Sequence, residues 1–202
     1  MPQRHPILLS ISVFLISYLL ILVLWIQVKP YYGKILSMAG AELATGHTKS
    51  QVEYITQEKD YTNIQFTRPV MTTKGMGDIV FDIKLSVSNY TFNVPLTFAL
   101  AAGLYIYFRW KPRYLLEAGI ILVFVHLLYI FSFCSLELLK NLTHSQGGIV
   151  YGIRLPSKGE QFFFQFLWEF TDNMVIRFEP FLVAIYLWLR SKEFRRLLPN
   201  SE

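Results

Sequence analysis

The stretch Ile7 to Val28, "ILLSISVFLISYLLILVLWIQV", runs for 22 residues without one charged side chain. A helix rises about 1.5 Å per residue and the hydrocarbon core of a bilayer is about 30 Å thick, so roughly 20 apolar residues cross it. The run exceeds the about 7–15 residues of a secretory apolar region, and "KPYYGK" comes after it in place of a small-residue cleavage site. It therefore reads as an uncleaved membrane anchor, and the rest of the chain has to fold beside it.

More runs of the same kind occur downstream. Val94 to Phe108 and Leu115 to Leu138 are apolar and are separated only by the basic link "RWKPRY", which makes them a helical hairpin. A last helical stretch runs from Gln161 to Arg190. Charged residues are 16% of the chain, against about 25% in a soluble domain, so lipid replaces water over much of the surface. The expected fold is a polytopic α-helical membrane protein with four transmembrane helices. A small extracytoplasmic α+β domain lies between the first and second.

The expected organisation is a cytoplasmic tail and first span over 1–28, the extracytoplasmic domain over 29–92, and a three-helix region over 93–190. That region carries an outer loop at about 139–160, and a basic cytoplasmic tail at 191–202 ends the chain. Segments 1–6, 109–114 and 190–202 hold 8 Lys/Arg in 25 residues, whereas 29–92 and 138–160 hold 10 in 87. Positive charge concentrates on the cytoplasmic side, so four spans put both termini there. The formal net charge of +5 is thus used beside the spans. With no basic stripe interleaved with aromatics, a nucleic-acid partner is not expected.

Within 29–92, "YYGKILSMAGAELA" places Ile35, Met38, Ala39 and Leu43 at helical spacing and predicts a short amphipathic helix over 31–44. Strands are predicted over 51–56 and 61–70. The clearest lies over 78–88, where Ile79, Phe81, Ile83, Leu85 and Val87 alternate with mostly polar residues. "TTKGMG" at 72–77 supplies a turn. About 64 residues approach the lower limit for an independent core, so the domain is expected to lean on the membrane helices or on a partner.

Candidate functional residues come from the last stretch, "MVIRFEPFLVAIYLWLR". Arg177 and Glu179 stand where hydrocarbon is expected, and Pro180 comes at once after them. Counted from Arg190 as the cytoplasmic edge, Glu179 lies roughly 16 Å in and Arg177 roughly 20 Å in. His126, counted from Leu115, and Tyr18, counted from Ile7, fall at similar depth. A central layer of Arg177, Glu179, His126 and Tyr18 admits three readings: an interhelical packing network, contacts to a membrane partner, or a proton or ligand path. Arg177 and Glu179 diverge by about 200° on an ideal helix, so each needs a partner elsewhere unless Pro180 distorts the turn. Glu169, Asp172 and Asn173 form a polar stripe near the outer interface, after the aromatic belt "FFFQFLWEF". It reads as a helix entering the membrane from its surface, with an intramembrane carboxylate enzyme as the competing reading.

Other chemistry is poorly provided for. Cys134 is the single cysteine. It stands eight residues from His126, about 12 Å along a helix, too far for the hydrogen bond of a thiol nucleophile. His5, His47 and His144 are isolated, so no metal site is expected, and no catalytic residue or cofactor is assigned.

The succession "KPYYGKILSMAGAEL", alternating strands, "SVSNYTFNVPLTFALAAGL", a hairpin of spans and "PFLVAIYLWLR" resembles the small bacterial membrane proteins associated with exosortases. Exosortases are inner-membrane transpeptidase-like enzymes that process proteins bearing a C-terminal sorting signal. The resemblance covers most of the chain and carries no assigned residues. It implies a non-catalytic accessory protein in the bacterial cytoplasmic membrane, whose partners are the bilayer and a larger polytopic membrane protein. The alternative is a small transport or channel component using the Arg/Glu/His layer.

Overall fold

The computed structural model describes residues 6–72, 75–144, 150–151 and 156–197. Its first element, α1, is one helix over Pro6–Thr48. The sequence reading breaks this helix after Val28 and begins a second one at 31. The structure carries it straight through Pro30. A proline inside a helix loses one backbone hydrogen bond and crowds the carbonyl four residues back. Packing of the next turns outweighs that local cost.

That packing uses small residues. Gly33, Leu36, Ser37, Gly40, Ala41, Ala44 and Thr48 are the buried positions of α1. They recur at three- and four-residue intervals, so they share one face. A Cβ on Gly33 would stand 2.6 Å from a methyl of Val87, and one on Gly40 would stand 2.6 Å from a methyl of Ile130. The backbone therefore approaches its neighbours closely only because those side chains are missing. Ile35, Met38, Ala39 and Leu43, expected as the core face of a short helix, point the opposite way and are exposed. Backbone proximity selected the small side of this helix, whereas hydropathy selects the large one.

Three strands come next as an antiparallel meander: β1 Gln51–Glu58, β2 Tyr61–Thr72 and β3 Gly75–Ser86. The register pairs Ile64 with Ile83 and Phe66 with Phe81. Alternation puts Phe81, Ile83 and Leu85 on one buried face and Val80, Asp82 and Lys84 on the other, exposed one, the period of two that a half-covered sheet requires. Residues 73 and 74 of the expected 72–77 turn lie outside the described residues. The strand expected to reach 88 stops at Ser86, where α2, Val87–Thr91, begins.

Two long apolar helices complete the frame, α3 over Val94–Phe108 and α4 over Pro112–His144. Within the loop expected at about 139–160, Val150–Tyr151 forms a short β4 paired with Met71 and Thr72. α5, Lys158–Phe170, starts at a capping box in which Ser157 and Glu160 exchange side chain-to-backbone hydrogen bonds. A π-helical turn, Thr171–Ile176, leads into α6, Arg177–Leu197.

The sheet has no core of its own. Ile64, Phe66, Phe81, Ile83 and Leu85 share one cluster with Leu36, Ala41 and Ala44 of α1 and with Ile130, Cys134, Leu138 and Leu142 of α4. A polar clamp holds its first turn. Lys29 of α1 pairs with Asp60, whose carboxylate also accepts hydrogen bonds from Ser86 Oγ at 3.1 Å and Ser88 Oγ at 2.7 Å.

The long apolar helices leave much of their surface uncovered by the rest of the chain. None of the most apolar 18-residue window of α1 is buried within the chain, and side chains such as Leu19, Leu20 and Val23 are exposed. Among the described residues, three helical segments are long and apolar enough to cross a bilayer: Pro6–Thr48, Val87–Phe108 and Pro112–Thr143. The α5–α6 stretch, expected as a fourth, carries its charges in mid-course and is not among those three.

Candidate functional site

The polar centre of the protein is a hydrogen-bonded chain drawn from four helices. α4 presents His126, with none of its surface exposed, and α6 presents Glu179, which is 2% exposed. Nε2 of His126 lies 3.1 Å from Oε2 of Glu179. On the other side of the ring, Nδ1 lies 2.7 Å from the hydroxyl of Tyr32 on α1. Thr97 of α3 donates its hydroxyl to Oε1 of Glu179 at 3.2 Å. A carboxylate only accepts, so Nε2 is the ring nitrogen that donates to Glu179. Nδ1 is then the ring nitrogen that meets the Tyr32 hydroxyl. The rings of Tyr32 and Tyr90 stand edge-on to the imidazole at 5.8 and 5.7 Å, which completes its enclosure.

The local sequence of α6 explains how Glu179 turns inward. Pro180 offers no N–H to the carbonyl of Ile176 four residues earlier. Asn93, buried at the start of α3, donates its side-chain amide to that carbonyl at 2.6 Å. The freed acceptor is satisfied from a neighbouring helix, as a buried carbonyl requires. The π turn just before it widens the helix and resets the facing of the residues after it.

The two charges of the last stretch face apart, as residues two apart in one helix must. Arg177 is 63% exposed and faces Asp172 Oδ2 at 3.7 Å across the π turn, whereas Glu179 points into the bundle. The structure thus joins two residues of the sequence-derived layer, His126 and Glu179, and leaves the other two apart. Tyr18 is half-buried and stacks on Phe14 of its own helix. Its place is taken by Tyr32, 14 residues further along α1, because α1 is far longer than the upright span from which the depth was counted. The stripe Glu169, Asp172 and Asn173 is engaged locally. Glu169 accepts from Gln165 at 2.9 Å, and Asn173 donates to the backbone carbonyl of Glu169 at 3.0 Å.

Sequence reasoning missed Tyr32, Asn93 and Thr97. Asn93 and Thr97 had a signal: in "NVPLT" they stand four apart, hence on one helical face, at the head of an otherwise apolar span. Tyr32 had none, since it belongs to a segment read as leaving the membrane. Cys134 is fully buried in the core cluster beside Ile130 and Leu138. Among the described residues no group of three His, Cys, Asp or Glu side chains is placed to hold a metal.

At the far end of the bundle, Glu117 of α4 accepts from the hydroxyl of Tyr186 and pairs with Arg190 Nη2 at 3.5 Å. This ties α4 to α6 a second time.

A small antiparallel sheet packed on two long apolar helices, with a buried polar chain joining four helices, defines an α-helical membrane protein. Residues 4–192 match the exosortase H-associated membrane proteins, and the chain belongs to that family. No curated protein and no solved structure matches it.

Proposed function

We propose that the protein is a non-catalytic accessory component of an exosortase-type protein-sorting enzyme in the bacterial inner membrane. The observation that carries this reading is the family match over nearly the whole chain. The mutual satisfaction of the buried pair supports it: His126 and Glu179 bond each other, Tyr32 bonds the imidazole and Thr97 bonds the carboxylate. Groups that satisfy one another in this way hold helices together, and the cavity that Glu179 lines on its other side is otherwise walled by apolar residues such as Leu122, Val125, Leu182 and Val183. In this reading α5–α6 is the fourth membrane helix, both termini are cytoplasmic, and the sheet domain is extracytoplasmic. The Lys/Arg density of the flanking segments supports that orientation. The larger partner is the exosortase itself.

The test is in-cell crosslinking of a tagged full-length chain, followed by detergent purification and mass spectrometry. Recovery of the exosortase is expected. Recovery of this chain alone, as a stable monomer, would overturn the reading.

One observation favours a second reading, a small transport component. Tyr32, His126 and Glu179 form an unbroken hydrogen-bonded series of titratable groups. That reading requires Glu179→Gln to abolish a measured flux while assembly persists; unchanged flux disposes of it.

A further inference from the structure

Between α2 and the π turn the surface opens into a cleft of about 470 Å³, lined by Ser88, Asn89, Phe92, Asp172, Ile176 and Arg177. Its two charges stand side by side. Arg177 Nη2 faces Asp172 Oδ2 at 3.7 Å, beyond the reach of a hydrogen bond, so the fork of guanidinium N–H donors is not spent on its neighbour. The amide of Asn89, an exposed residue, adds further donors. Ser88 is used at the back of the cleft, where it donates to Asp60 and receives Lys29. A ligand in the cleft therefore meets a cation, an anion and an amide.

The surroundings say what kind of ligand. Counted from Arg190 as the cytoplasmic edge, Arg177 lies roughly 20 Å in and Asp172 roughly 27 Å in, against a hydrocarbon core of about 30 Å. The cleft is then just inside the outer boundary. Side chains lean toward the N-terminus of their helix, which on α6 is the outer side, so Arg177 reaches for the headgroup layer as long cationic side chains do. Below it the same face of α6 is apolar. Phe181, Ile185 and Trp188 succeed Arg177 at intervals of four, four and three, and all are exposed. A charged head site above an apolar track matches an amphiphile, whereas a free phosphate makes no use of the track. The paired charges narrow the head. A phosphate is recognised by Arg177 and Asn89, and an ammonium by Asp172. A headgroup with negative charge only would lie against the Asp172 carboxylate.

We infer that this cleft binds an outer-leaflet phospholipid whose headgroup carries a primary ammonium beside its phosphate, with the phosphate on Arg177 and Asn89 and the ammonium on Asp172. A quaternary ammonium has no N–H to donate to a carboxylate, so a choline headgroup fits less well. The inference rests on the reading of α5–α6 as the fourth membrane helix, entered from outside, and does not depend on the exosortase partner.

The test takes the full-length chain, purified in detergent and stripped of lipid. It is titrated with phosphatidylethanolamine, phosphatidylcholine or phosphatidylglycerol of identical acyl chains, and bound lipid is read by native mass spectrometry. Wild type should bind the ethanolamine lipid about fivefold or more tightly than either of the others. Arg177→Gln should weaken that binding by about tenfold, the order of one charge-assisted hydrogen bond. Asp172→Asn should remove the preference over the choline lipid. Equal affinity for all three lipids, or unchanged affinity in Arg177→Gln, overturns the site. Photo-crosslinkers at positions 92 and 181 of otherwise wild-type chains in cells cover the case in which a variant fails to fold. Ethanolamine lipid enriched at position 92 over its share at position 181 supports the inference. Equal shares, or a protein crosslinked at position 92, overturn the site and leave the membrane helix standing. No lipid at position 181 overturns the membrane helix and the site together.

Discussion

Replacing His126 by leucine should be among the most damaging single changes in the protein, and pairing it with Glu179→Leu should undo most of the damage. In the native structure Glu179 is 2% exposed and receives hydrogen bonds from His126 at 3.1 Å and Thr97 at 3.2 Å. His126→Leu removes one of these donors and also the hydrogen-bond partner of Tyr32. A buried charge stripped of one partner typically costs about 3–5 kcal/mol, whereas an interhelical hydrogen bond between neutral groups in a membrane protein averages about 0.6 kcal/mol. The charged term decides the size of the effect. Replacing a buried pair by apolar residues of similar volume is often neutral or stabilising, so the double variant should recover most of the loss. For a chain of this length about 1 kcal/mol shifts the melting temperature by roughly 2–4 °C. His126→Leu alone should therefore melt roughly 6–20 °C below wild type and the double variant within a few degrees of it. Thermal unfolding of the four forms in one detergent, tracked by loss of the monodisperse gel-filtration peak, closes the cycle. A single variant that melts with wild type, or a double variant as damaged as the sum of the singles, would refute the argument that this pair is a mutually satisfied unit.

Asn93→Leu should orphan the Ile176 carbonyl that Pro180 leaves free, at a cost of about 1–3 kcal/mol, seen as a lower melting temperature that Pro180→Ala partly restores. Gly40→Val should drive α1 away from Ile130, because even a Cβ at position 40 stands 2.6 Å from its methyl; faster proteolysis of the sheet domain would report this, and unchanged resistance would contradict the close approach. Burial raises the Asp60 carboxyl, but hydrogen bonds from Lys29, Ser88 and Ser86 and the charge of Lys29 outweigh it and hold the group below the ordinary aspartate value of 3.8. A depressed carboxyl contributes stability that is present above that ordinary value and is lost as pH falls through the lower folded one. Protection of the amides around the clamp, taken against the intrinsic exchange rate at each pH, should thus fall below about pH 4 in wild type, and Asp60→Asn should show the lowered protection at neutral pH already; a variant as protected as wild type at pH 7 would count against the clamp.

Local periodicity along the chain is enough to mark three helical segments long and apolar enough for a bilayer and the strands of the sheet. The signals are unbroken apolar runs long enough for a bilayer, and the alternation of Phe81, Ile83 and Leu85 with Asp82 and Lys84. The architectural resemblance to exosortase-associated proteins was legible for the same reason, and family membership agrees with it. His126 and Glu179 were legible as candidates because a polar group in an apolar run needs a partner.

Who those partners are depends on how the helices cross in three dimensions. Depth counted along isolated helices proposed Tyr18. The actual crossing of α1 and α4 delivers Tyr32, since α1 runs unbroken through Pro30 and meets α4 above its apolar half. Arg177 faces away from Glu179 as residues two apart in one helix must; the π turn over Thr171–Ile176, which no residue pattern announces, sets the phase of both against α5. The core face of α1 is set by how near Gly33 and Gly40 let Val87 and Ile130 come. Hydropathy records what a side chain prefers. Contact distance between backbones decides which side of a helix is inside, and in α1 that left the large apolar residues of the upper half facing out.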